Sequence, residues 1–210
     1  MYFSQILDAR SEFSKSAKGI MSLKPFNVVV ALILFMCVAC VQATPTPTTA
    51  TQPEIRAGWI KYWQLERTAL PKTKFPHQAC FEKSSKEHQV PLNLLLALSR
   101  GESNFNPRAV SKADARGLMQ ILWPGTAKHL GITSEEALFD PCTNVDAGAR
   151  YFRELLNRYD NNIHLSLAAY NYGPGRISTD AVEIQEGAAW YSGYIYNHLR
   201  YVLGLSLIHI

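Results

Sequence analysis

The segment Pro91-Leu-Asn-Leu-Leu-Leu-Ala-Leu-Ser-Arg100 constrains this chain more than any other, because a helix built from it is too apolar to lie on a surface. The run ends in Gly101-Glu102-Ser103-Asn104-Phe105-Asn106-Pro107, so one acid, Glu102, stands where the helix should stop. A carboxyl held against apolar side chains at the partially negative end of a helix is pushed toward its neutral form, since desolvation and the helix dipole both disfavour the anion. Glu102 is therefore a candidate general acid.

The rest of the chain fits around such a helix. From His77 onward the pattern is steadily helical, without βαβ alternation or a convincing strand, so the fold class expected is mostly α. Helices are expected over 79–90, from Pro91, over 144–157 with Val145, Ala149, Phe152, Leu155 and Leu156 facing inward, and over 164–170. Residues 118–130 read as a helix interrupted near Pro124-Gly125, Ser134 as a cap, and 172–176 as a turn. Trp59 to Leu65 reads as a short packing helix. With 47% hydrophobic residues, 210 residues suffice for one domain with extensions.

Residues 1–43 read as an export signal: the apolar run Val28 to Val41 follows Lys24 and closes on Val41-Gln42-Ala43. Met21 is the expected true start; a retained membrane anchor and a lipid-bearing Cys40 are the alternatives. Residues 44–56 form a Thr/Pro-rich linker. The final residues, 205–210, resemble a translated sequencing adapter and are expected to be non-native. Beyond residue 43 the chain carries 17 Lys and Arg against 15 Asp and Glu, with no basic-aromatic stripe, which argues against a nucleic-acid partner.

Of four cysteines, Cys37 and Cys40 lie in the export segment, leaving Cys80 and Cys142. In an oxidising compartment these two should bond and close a long loop; two buried free thiols are the alternative. No Cys-x-x-Cys or His-x-x-x-His spacing occurs after residue 43, so no metal and no cofactor is expected.

Three pieces occur in order: Gly101-Glu102-Ser103-Asn104-Phe105-Asn106-Pro107, Gly117-Leu118-Met119-Gln120-Ile121, and Ala168-Ala169-Tyr170-Asn171-Tyr172-Gly173-Pro174-Gly175-Arg176-Ile177. Together they resemble the lytic murein transglycosylases with a soluble-type catalytic domain, relatives of goose-type lysozyme, over about residues 79–203. Asp140-Pro-Cys-Thr-Asn144 and the cysteine before the first helix look most like the small peptidoglycan-cleaving enzymes of secretion and conjugation systems. The resemblance implies a lysozyme-like single domain over 57–204, exported to the periplasm or secreted, monomeric, with peptidoglycan strands as substrate and a secretion or conjugation apparatus as a partner.

Glu102 is then the acid at the glycosidic oxygen. Ser103 positions its carboxyl or caps the next turn. Gly117 admits the saccharide or adopts φ > 0. Met119 offers an apolar floor beneath a sugar ring, and Gln120 a donor and acceptor for its substituents; taken alone, Met119 would be core and Gln120 solvated. Tyr170 can donate to Glu102 or its substrate, or be a half-buried core residue, while Asn171 suits N-acetyl groups. A second tyrosine is expected near the C-terminal end, Tyr194 by pattern, with Tyr191 and Tyr196 as rivals; His198 departs from that pattern.

No partner acid presents itself for Glu102; Asp114 and Asp140 are the nearest downstream and stand in no catalytic motif. The resemblance accounts for this, since its members let the substrate's acetamido group and C6 hydroxyl replace enzyme nucleophile and water, giving 1,6-anhydromuramyl ends. A hydrolytic muramidase and a non-catalytic glycan-binding module are the competing readings.

Overall fold

The computed structural model describes residues 50–205. The expected export segment, most of the expected linker and the last five residues lie outside them. Among the described residues no helix is long and apolar enough to cross a membrane.

The structure is mostly α. Helix α1 (Gln52–Lys61) continues through a wider π-helical turn over Tyr62–Glu66, followed by α2 (Gln78–His88) and α3 (Leu92–Ser103). A two-stranded hairpin, β1 (Ala115–Arg116) and β2 (Ile121–Leu122), precedes the short α4 (Gly125–His129). Helices α5 (Pro141–Arg158), α6 (Ile163–Tyr172) and α7 (Glu186–Val202) complete the chain.

The leucine-rich helix is the central one. Leu94, Leu95, Leu96, Ala97 and Leu98 are successive residues with no exposed surface, so α3 is buried on every face. Burying a leucine fully stabilises by about 1.5–3 kcal/mol, so its four buried leucines make this segment a large apolar contribution to the core. Its single buried amide, Asn93, is satisfied: it accepts from the Tyr62 hydroxyl and donates to the carbonyls of Glu66 (3.1 Å) and Ala69 (2.8 Å). That fixes the N-terminal segment on the core.

Helix α1 is already formed at Gln52 and buries Ile55 and Trp59, so the boundary expected between residues 56 and 57 falls inside it. Trp59 Nε1 donates to Ser192 Oγ on α7 at 2.9 Å, closing the packing of α1 from the other side.

Of the expected interrupted helix over 118–130, the part after Pro124 forms as α4 and the part before it does not. Ala115 pairs with Leu122 and Arg116 with Ile121, antiparallel, around a turn in which Gly117 and Gln120 have φ of +73° and +51°. A left-handed φ cannot continue an α-helix. Strands of two residues are also too short to display a period of two.

Helix α5 starts on a proline and is capped by Asp140, whose carboxylate accepts from Thr143 N at 2.8 Å. Cys80, at the start of α2, is bonded to Cys142, at the start of α5, across 62 residues of sequence. A loop of that length stabilises by about 4 kcal/mol in the chain-entropy account. Replacing both cysteines by alanine should lower the urea-unfolding free energy by about that amount. Dithiothreitol should then destabilise the parent protein and leave the double variant unmoved; equal stability of the two proteins without reductant would count against the bridge.

Candidate active site

Helix α3 ends where Asn104 and Phe105 turn left-handed, at φ of +50° and +62°, and this leaves Glu102 in its last turn. Glu102 is buried, with 8% of its surface exposed. Helix α7 grips that turn at three successive residues. Tyr191 donates its hydroxyl to Glu102 Oε1, Tyr194 donates to the Gly101 carbonyl at 3.0 Å, and Arg100 reaches His198 Nδ1 while its guanidinium lies 3.7 Å from the centroid of the Tyr201 ring. Gly101 makes the approach possible: a Cβ there would stand 2.6 Å from Ile195 Cδ1.

Burial pushes the Glu102 carboxyl above the usual carboxylate range, and the Tyr191 hydrogen bond works against that shift by stabilising the anion. Burial, together with the charge of Glu102, raises the phenols of Tyr170 and Tyr191 well above the tyrosine range, so both are neutral donors. Burial and Arg100 bring His198 down to about 4, leaving it a neutral acceptor beside the guanidinium.

In front of Glu102 opens a cleft of about 460 Å³, walled by Gln120, Tyr151, Tyr170, Asn171 and Tyr172, with Arg176 at its edge. Among the residues lining it Glu102 is the only carboxylate. Asp140 is occupied as the cap of α5, and Asp114 is exposed beside Arg116 at 3.4 Å.

The turn over 117–120 forms the second wall, and a buried amide builds it. Asn144 of α5 donates to the carbonyls of Arg116 (2.9 Å) and Leu138 (2.8 Å) and accepts from Met119 N (2.7 Å). Gly117 is required by its φ and by Asn144 itself, whose Nδ2 would lie 2.3 Å from any Cβ added there. Ser103 Oγ donates to Leu118 O at 2.8 Å, and Tyr170 donates to Met119 O at 2.7 Å. Gln120 Nε2 donates to Gly117 O at 2.9 Å, which turns its amide along the cleft wall.

Four expected site residues, Glu102, Gln120, Tyr170 and Asn171, therefore share one cleft. Three others stand elsewhere. The Met119 side chain is fully buried against Gly148 of α5, so its contribution at the turn is its backbone and not an apolar floor. Ser103 ties α3 to the turn instead of touching the carboxyl. Tyr194 faces away from the cleft, and Tyr191 takes the position at Glu102. Sequence reasoning left Tyr151 and Arg176 without a role; Arg176 lay inside a motif already singled out.

Comparison with known proteins gives a consistent picture. The family model described as Transglycosylase SLT domain matches residues 79–191, more than half of the chain. The soluble lytic murein transglycosylase of Escherichia coli (strain K12) is 35% identical over 148 residues, covering 61% of this chain and 23% of that protein. The membrane-bound lytic murein transglycosylase C of Sodalis glossinidius is 34% identical over 137 residues, covering 59% of this chain and 38% of its own length. The chain thus spans well under half the length of these relatives. Among solved structures, the 70 kDa soluble lytic transglycosylase of Escherichia coli matches with a TM-score of 0.52 and 27% identity over 76% of this chain and 32% of that one.

The raised Glu102 pKa has a defined thermodynamic sign. Folding favours the protonated acid, so the associated stability is complete below the unfolded pKa and is lost as pH rises through the folded one. Glu102→Gln should therefore gain stability relative to the parent between pH 4 and pH 8 in urea titrations; a constant difference would contradict the shift. Tyr191→Phe, which removes the one bond that lowers it, should raise the Glu102 pKa further when the carboxyl is titrated by NMR.

Proposed function

The chain belongs to the family of transglycosylase SLT domains, and on that premise we propose that it is an exported lytic transglycosylase cleaving the β-1,4 bond between N-acetylmuramic acid and N-acetylglucosamine in peptidoglycan. The observation that carries this reading is the lone carboxyl of Glu102, buried, pushed up in pKa and held by Tyr191 in a cleft lined by no second acid.

In the proposed reaction Glu102, protonated, gives its proton to the glycosidic oxygen as the bond from that oxygen to muramyl C1 breaks. The substrate's acetamido carbonyl supports the positive charge at C1. Glu102, now an anion stabilised by the Tyr191 hydroxyl, takes the proton of the muramyl C6 hydroxyl as its oxygen bonds to C1. The products are a free N-acetylglucosamine hydroxyl and a 1,6-anhydromuramyl end, and the enzyme recovers its proton without consuming water. One carboxyl suffices because the second nucleophile is intramolecular. The standard inverting and covalent retaining routes use a second carboxylate, which this cleft does not supply.

The other cleft groups orient the strand. Asn171 and Gln120 offer amides suited to acetamido groups, Tyr151, Tyr170 and Tyr172 offer ring surface, and the Arg176 cation suits the muramyl lactyl carboxylate or its peptide. Bonding of Cys80 to Cys142 supports an oxidising compartment, the periplasm or the exterior.

Digestion of purified sacculi should release muropeptides carrying anhydro ends, one water lighter by mass than hydrolysis products. Reducing ends would reassign the protein as a muramidase. Glu102→Gln should slow cleavage by about 10²–10⁴, the usual range for removing a general acid; undiminished cleavage would remove Glu102 from the mechanism.

A further inference from the structure

After the π-helical turn that follows α1 the chain reverses, and the reversal is fastened from inside. Ala69 N donates to Glu66 O at 2.9 Å, and Asn93 at the start of α3 donates to both carbonyls of that turn, Glu66 O at 3.1 Å and Ala69 O at 2.8 Å. Beyond it Lys72 N donates to Val202 O at 3.2 Å, which ties the chain back to α7. With these carbonyls directed at the core, the side chains at the two ends of the turn are left outside: Leu65 is 71% exposed and Leu70 78%. A turn closed in this way brings its ends within about 7 Å, so the two leucines flank one narrow knob.

The charge along the knob has one sign. From Arg56 to Lys74 the chain carries Arg56, Lys61, Arg67, Lys72 and Lys74 against one acid, Glu66. Lys61, Arg67, Lys72 and Lys74 are exposed, whereas Glu66 is half-buried and stands with Arg200 near the Tyr196 phenol. A single exposed leucine is ordinary on a protein surface; two on one anchored turn, with cations before, between and after them, are a directed combination.

We propose that this knob docks on an anionic bilayer surface, with Leu65 and Leu70 entering the interface and the neighbouring cations meeting lipid phosphates. Both halves of the knob are needed to choose the occupant. A soluble polyanion would leave the leucines in water, and an apolar protein surface would leave the cations unmatched. A layer of phosphates over hydrocarbon satisfies the two together, and interfacial binding strength is the sum of buried apolar area and attraction to anionic lipid. The inference stands apart from the cleavage reading, and the geometry joins them. Asn93, which holds the knob, and Glu102 are nine residues apart on α3, about 14 Å along the helix axis, so the docking turn and the acid sit toward opposite ends of one buried helix.

The exported and processed protein, centrifuged at low ionic strength with vesicles of equal parts phosphatidylglycerol and phosphatidylcholine, should co-sediment. With phosphatidylcholine alone it should stay in solution, and added salt should weaken the anionic binding. Leu65→Ser with Leu70→Ser should lower the vesicle partition coefficient about ten-fold, through the apolar area no longer buried. Lys61→Ala with Lys74→Ala should lower it about twenty-five-fold, roughly five-fold for each cation lost near the surface. Unchanged urea midpoints report that both double variants are folded. Absence of any preference for the anionic vesicles, or anionic binding that both pairs of substitutions leave intact, overturns the proposal. Binding that falls with the lysines and ignores the leucines overturns it as well, and assigns the face to a soluble polyanion or an acidic protein.

Discussion

Everything at the site depends on how closely α7 can approach the last turn of α3. Gly101 sets that distance, because with any side chain there Ile195 would be displaced. Once the helices meet, three consecutive residues of α3 each find a partner on α7: Arg100 at His198 and Tyr201, Gly101 at Tyr194, Glu102 at Tyr191. The carboxyl is then held by a neighbouring helix as well as by its own, and the Tyr191 hydrogen bond offsets the side-chain freedom lost in ordering it.

The second wall relies on one buried polar residue. Asn144 satisfies one carbonyl and one amide of the segment around the turn and ties both to the carbonyl of Leu138. Ser103 and Tyr170 fasten the same turn from α3 and α6. Three helices thereby fix the backbone that carries Gln120, and a groove wall made of irregular chain acquires the rigidity of the helices behind it. The disulfide holds the start of α5, which carries Asn144, against α2.

Opposed effects tune Glu102. Desolvation favours the acid form, and the Tyr191 hydrogen bond favours the anion. A group that must first give a proton and then take one needs both forms accessible, and a fully apolar surround would have frozen it as an acid. His198 stays neutral beside Arg100 and so adds no charge near the carboxyl.

Much of this was legible in the residues alone. The leucine run required burial on all faces, and Asn106-Pro107 stopped the helix near Glu102; the cysteine count left Cys80 and Cys142, and Asp140 with Pro141 started α5. Each follows from local chemistry that acts over a few residues or from arithmetic over the whole chain. The tertiary structure decided the rest. Tyr191 and Tyr194 are three residues apart on one helix, and only the rotation of α7 on α3, fixed by Ile195 against Gly101, puts the first at the carboxyl and the second at the Gly101 carbonyl. Met119 turns inward because Gly148 leaves room for it on α5, 29 positions along the chain. The hairpin forms where a helix was expected because Asn144, distant in sequence, satisfies a left-handed turn. Such contacts join segments whose separation a sequence records and whose approach it does not, so packing alone could choose among side chains of equal chemical fitness.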